Sequence, residues 1–117
     1  MEVIYQVRDY HYRLDRWVEY VVWTEEATRI LREEFDIVGF WFDAGIPMQT
    51  GGSSPVDHPL GPSNGTWVIR GESMEERESG WARMWENREW VNHWDAHPDA
   101  DGYLNMSFRF MVGPNSA

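Results

Sequence analysis

The apolar pattern of this 117-residue chain switches between a period of two and a period of three to four along its length, and the order of those switches constrains the fold. Val3 to Tyr12 reads as a strand, with Val3, Tyr5 and Val7 on one face and Gln6, Arg8 and Tyr10 on the other. From Leu14 the spacing becomes helical: Leu14, Trp17, Val21, Thr24, Thr28, Leu31 and Phe35 share a face, widened by Tyr20, Trp23, Ala27 and Ile30. Ile37 to Asp43 returns to a strand, apolar on both sides. Residues 44–65 are rich in Gly, Pro and Ser and too broken for regular structure, which leaves a long loop that is either a lid or disordered.

Thr66 to Arg70 is a third strand, and Ser73 with Glu76 forms a capping box that opens a second helix through Met74, Arg77, Trp81 and Trp85. Asn87 restarts a short helix through Trp90 and Trp94, before Pro98 and the Asp101-Gly102 turn. Tyr103 to Met111 closes the pattern as a strand. The order strand, helix, strand, strand, helix, strand predicts an α+β, ferredoxin-like βαββαβ domain spanning 1–117, a four-stranded antiparallel sheet with its helices on one face. The uncovered face and the two-sided second strand lead to the expectation of a homodimer that covers it, a dimeric α/β barrel.

Composition narrows the chemistry. Without cysteine there is no disulfide, thiolate metal site or cysteine nucleophile, which suits a reducing, cytoplasmic setting. Without lysine there is no side-chain amine for a Schiff base. Twenty acidic residues against ten arginines disfavour nucleic acid and anionic membrane surfaces as partners. No apolar run is long enough to span a bilayer, and Met1 to Tyr12 lacks the basic-then-apolar pattern of a leader. Phosphate-loop, dinucleotide and nucleophilic-serine motifs are absent from the sequence.

Several segments resemble the NIPSNAP family of the dimeric α/β-barrel (ABM-type) superfamily. Ile4-Tyr5-Gln6-Val7-Arg8-Asp9-Tyr10 is similar to that family's opening Ile-Tyr-Glu-Leu-Arg-x-Tyr strand, with Gln6 replacing the acid. Arg70-Gly71-Glu72-Ser73-Met74-Glu75-Glu76-Arg77 resembles its Arg-Tyr-Glu-Ser-x-x-Glu-Arg junction, with Gly71 for the Tyr. Glu89-Trp90 is similar to the Pro-Glu-Trp of its third helix, and Phe110 to Ser116 to its apolar-Pro-x-Ser tail. The resemblance implies the fold and the dimer. Its superfamily includes cofactor-independent monooxygenases, polyketide cyclases, isomerases and lyases, and haem-dependent branches.

The natural pocket of such a fold lies between helices and sheet. If Tyr5 and Val7 face the helices, Asp9 and His11 share that face about 7 Å apart, making His11 a candidate general base oriented by Asp9. His93, flanked by Trp90 and Trp94, is a second acid/base candidate or a haem ligand. His93 and His97 have metal-ligand spacing, but Pro98 breaks the helix, and Asp95 to Gly102 matches a calcium loop poorly, so no metal is expected.

Trp41, Trp67, Trp81, Trp85 and Trp90 are candidates to wall a cavity for a flat aromatic or polyketide-like molecule, with Arg70 or Arg109 at its edge binding a carboxylate or enolate. Asp57 and His58 are loop candidates, an acid/base pair brought in on loop closure. The leading expectation is a small enzyme needing no cofactor, performing cyclisation, isomerisation or related natural-product tailoring on a hydrophobic small molecule. The alternatives are a haem or tetrapyrrole binder and a non-catalytic dimeric ligand-binding module.

Overall fold

The computed structural model describes residues 3–115. Met1 of the opening stretch and Ser116 of the tail motif lie outside them. In chain order the elements are β1 (Ile4–Tyr12), a single 3₁₀ turn at Leu14–Arg16, α1 (Trp17–Leu31), β2 (Asp36–Phe42), β3 (Gly65–Gly71), α2 (Met74–Glu86), α3 (Arg88–Asp95) and β4 (Tyr103–Met111). The strands form one antiparallel sheet in the order β2-β3-β1-β4, the ferredoxin-like arrangement expected from the apolar pattern. Among the described residues no helix is long and apolar enough to cross a membrane.

Helix starts follow the capping chemistry in the sequence. Glu76 N donates to the Ser73 hydroxyl at 3.0 Å, and Trp90 N donates to Asn87 Oδ1 at 3.2 Å. The Glu76 carboxylate accepts from Glu72 N rather than from Ser73 N, so the box closes one residue earlier than its usual form. α1 begins without a side-chain cap and is held by packing: Tyr20, Trp23, Thr24, Ala27, Ile30 and Leu31 are its buried residues. All six belong to the expected face, which is centred on Tyr20, Trp23, Ala27 and Ile30, with Trp17, Val21 and Thr28 half-buried. Leu14 is 73 % exposed, and Phe35 lies beyond the helix, in the turn before β2.

The core lies between the helices and one sheet face, where Tyr10 and Tyr12 of β1, Ile37 of β2, and Trp67 and Ile69 of β3 meet α1, Met84 of α2 and Trp90 of α3. Tyr12 stacks on Tyr20 with ring centres 3.8 Å apart. Gly80 lets α2 approach closely, because a Cβ there would stand 2.7 Å from the Phe35 ring. The opposite sheet face carries Tyr5 and Trp41 with their rings exposed, and Met111 beside Tyr5 in the register.

Candidate functional site

The face assignment of β1 is the reverse of the one expected. Arg8 pairs in register with Trp67 on one side and Phe108 on the other, and Tyr10 with Gly65 and Met106. Gln6, Arg8, Tyr10 and Tyr12 therefore share the helix-facing side, with Gln6, Tyr10 and Tyr12 buried. Tyr5, Val7, Asp9 and His11 alternate onto the bare face. The physical reason is compensation: the polar members of the inward row each have a partner there, so polarity does not force them out.

Between helices and sheet lies a cleft of about 710 Å³, within the range of small-molecule sites. Trp67 and Phe40 form its floor on β3 and β2, Tyr20, Trp23, Thr24 and Ala27 its wall on α1, and Trp81, Trp85, Trp90 and Trp94 its wall on α2 and α3. Trp85 stands edge-on to Trp90 and Trp94, each at 5.8 Å, and Trp67 edge-on to Trp81 at 6.3 Å. Met106 and Phe108 of edge strand β4 line the remaining side and are themselves exposed, so the cleft opens there.

One polar centre sits on the floor. The Tyr10 hydroxyl accepts from Arg8 Nε at 2.8 Å and from Trp67 Nε1 at 2.7 Å. With both acceptor positions filled, the phenolic hydrogen remains free to be donated. The Arg8 guanidinium lies over four rings, those of Phe108 at 4.1 Å, Trp67 at 5.0 Å, Trp81 at 5.3 Å and Tyr10 at 5.7 Å.

A second polar centre lies behind the lining residue Tyr103. His97 Nδ1 accepts from Asp99 N at 3.0 Å, which places the hydrogen of the neutral ring on Nε2, 2.8 Å from the Tyr103 hydroxyl. Burial holds this imidazole down at about 4, against a weaker upward pull from Asp99. Burial likewise pushes the Tyr20 and Tyr103 hydroxyls up, so both stay protonated phenols lining the cleft.

Of the residues singled out in the sequence, Trp67, Trp81, Trp85 and Trp90 line this cleft. Trp41, Arg70, Arg109, Asp9 and His11 do not; by register they lie on the bare face. There Asp9 accepts from Thr66 at 2.7 Å and pairs with Arg109 at 3.3 Å, while His11 Nε2 meets the Gly61 carbonyl at 2.9 Å. His58 stacks on His11 with ring centres 4.3 Å apart, and Asp57 is exposed. The long loop thus folds against the bare face, and none of its residues lines the cleft. His93 stacks on Trp23 at 4.7 Å, and its Nε2 lies 2.8 Å from the Trp23 carbonyl, which commits that nitrogen to a structural bond.

Arg8, Tyr10 and Tyr103 went unselected because a period-two reading sorts residues by polarity. The available signal was the Arg-x-Tyr spacing, which puts both residues on one face, in a chain with eight tryptophans needing partners.

No protein-family model matches this chain. No curated protein matches it. Solved structures do. A NIPSNAP family protein of unknown function from Agrobacterium tumefaciens superposes with a TM-score of 0.71 at 17% identity, over 96% of this chain and 88% of that one. A further NIPSNAP family protein from Agrobacterium tumefaciens gives a TM-score of 0.74 at 14% identity, over 99% and 90%. An uncharacterized NIPSNAP-like domain protein from Burkholderia xenovorans gives 0.71 at 17% identity, over 99% and 89%. At these identities the likeness is one of architecture, and this chain has the fold of the NIPSNAP family proteins.

Proposed function

We propose that this chain is a NIPSNAP family member that binds one flat, hydrophobic, aromatic or polyketide-like molecule in the tryptophan cleft and moves a proton on it. The observation that supports this most is that the space between helices and sheet is walled by aromatic rings rather than filled by them, leaving about 710 Å³ open. Ring faces and edges suit a planar ligand, with stacking contributions of about 0.5–1.5 kcal/mol per pair beyond burial. Tyr10 is the proton donor: its hydrogen is free, the Arg8 and Trp67 bonds stay on the oxygen after the proton has moved, and the phenolate so held takes a proton back from another position of the ligand, which restores the phenol. Cyclisation or isomerisation of a natural-product precursor belongs to this class of chemistry.

A binding role without turnover has one observation in its favour, that no histidine lines the cleft. Tyr10→Phe separates the two, lowering turnover about 100-fold in the enzyme while leaving ligand affinity within about threefold. The tetrapyrrole alternative draws no support from His93, whose Nε2 faces the Trp23 carbonyl. On the bare sheet face, exposed Tyr5, Trp41 and Met111 favour a second copy of the chain as the cover.

Binding is tested by calorimetric titration with 2-naphthalenemethanol, a neutral flat probe. A single site per chain, weakened at least tenfold by Trp85→Ala, is expected. Trp85 is 48 % exposed, so its truncation has little effect on folding. Binding unaffected by that change overturns the assignment to the cleft.

A further inference from the structure

We infer that the ligand of the cleft carries a carboxylate, and that Arg8 and Arg77 are the residues that select it. This rests on the cleft being the binding site and names the substrate class that the site takes: planar aromatic acids.

Carboxylates outnumber arginines 20 to 10, so no arginine lacks a partner through scarcity. Five exposed arginines, Arg13, Arg16, Arg29, Arg83 and Arg109, pair with carboxylates, and the three others outside the cleft, Arg32, Arg70 and Arg88, are exposed to water, where an unpaired charge costs little. Arg8 and Arg77 behave differently. Both are half-buried, where an unpaired charge costs more than at the surface, and both line the cleft.

Among the described residues their side-chain hydrogen bonds run only through Nε, to neutral oxygens: Arg8 to the Tyr10 hydroxyl, and Arg77 to Gln6 Oε1 at 3.0 Å. Among the described residues neither has a carboxylate within salt-bridge distance. The Nη groups of both, the fork that grips a carboxylate in two parallel bonds, have no acceptor among the described residues. The two charges also repel each other: desolvation first, then the charge of Arg8, lowers the Arg77 guanidinium from its usual value, and a weaker upward pull from Glu78 does not offset them. An anion between them relieves both costs.

The surroundings carry the same sign. The buried polar atoms of the described residues that lack a partner are the indole nitrogens of Trp81 and Trp90 and the amide nitrogen of Gln6. All three are donors, and each leaves a partial positive charge near the cleft with no acceptor. Trp81 and Trp90 line the cleft itself, and Gln6 lies beneath Arg77. The carboxylates that line it, Glu78 and Asp101, are exposed and bonded to neither arginine. In a chain of net charge -10 the lining as a whole is balanced, two arginines against two carboxylates, and it is the donors left without acceptors that call for an anion.

The test uses three probes of one shape: 2-naphthoate, 2-naphthalenemethanol and 2-naphthylmethylamine, titrated calorimetrically into the whole chain. The wild type is expected to bind the acid at least tenfold more tightly than the alcohol, and the amine most weakly, although the net charge favours the amine. Arg8→Gln and Arg77→Gln each bring acid and alcohol within about twofold of one another, and Arg8→Lys keeps part of the preference. Arg70→Gln, on the bare face, leaves all three affinities unchanged. If Arg8→Gln does not fold by circular dichroism, Arg77→Gln decides the matter. Equal binding of acid and alcohol by the wild type overturns the inference while the aromatic cleft stands. So does an acid preference that survives in both variants. If none of the probes binds at millimolar concentration, the cleft assignment itself falls, and this inference with it.

Discussion

Arg8 donates through Nε to the Tyr10 hydroxyl at 2.8 Å, two residues along the same strand face, and Trp67 Nε1 donates to the same oxygen at 2.7 Å from the neighbouring strand. One phenol thereby gathers a cation and an indole on the cleft floor. Tyr10→Phe leaves the buried Trp67 N–H without an acceptor, which costs about 1–3 kcal/mol. Denaturant unfolding should show a lower midpoint with an unchanged slope.

His97 contributes to the acid limb of stability. Its folded-state pKa, about 4, lies below its ordinary value of 6.5, so the unfolded chain binds the proton more readily. Stability from this group is complete above about pH 6.5 and is lost as the pH falls towards 4. The loss is on the order of 2 kcal/mol, less than the full shift because the ring is not fully buried. Thermal or denaturant unfolding across that window should show the slope, and His97→Gln should flatten it.

Gly80 is required by distance rather than by backbone angle. Alanine is the better helix former by about 1 kcal/mol, but its methyl group would press on the Phe35 ring, 2.7 Å away and itself packed against Trp81 at 4.8 Å. The contact wins, and Gly80→Ala is expected to destabilise by about 1–3 kcal/mol. Phe35→Leu in the same chain should recover part of the loss in a double-mutant cycle.

Asn64 continues the sheet beyond the end of β3. Its side chain accepts from Tyr12 N at 2.8 Å and donates to Tyr12 O at 2.7 Å, while its backbone N–H reaches Tyr10 O at 2.9 Å. Asn64→Ala strips a partner from two main-chain groups and should cost about 1–3 kcal/mol. Faster amide exchange at Tyr12 and in the adjoining loop is the corresponding local signature.

The element order, the sheet and both side-chain helix caps were legible in the sequence because period and capping are local properties. The buried face of α1 was legible too, but not its ends, since Leu14 falls in the exposed turn before the helix and Phe35 beyond its last residue. The cleft was legible only as an excess of tryptophan. Its floor was hidden because Gln6 and Arg8 look outward by polarity. What turns them inward is non-local: Arg77 comes from α2, Trp67 from β3 and Phe108 from β4. His11 was chosen for the opposite reason, lying on the row that looked apolar but is in fact the bare one.

Which face of the sheet takes the ligand is visible directly in a crystal soaked in 2-naphthoate. The predicted result is a ring lying among Trp81, Trp85 and Trp90 with its carboxylate against Arg8 and Arg77. A ring seated instead beside His11 and His58 on the bare face, or a cleft left unfilled at millimolar ligand, would contradict it.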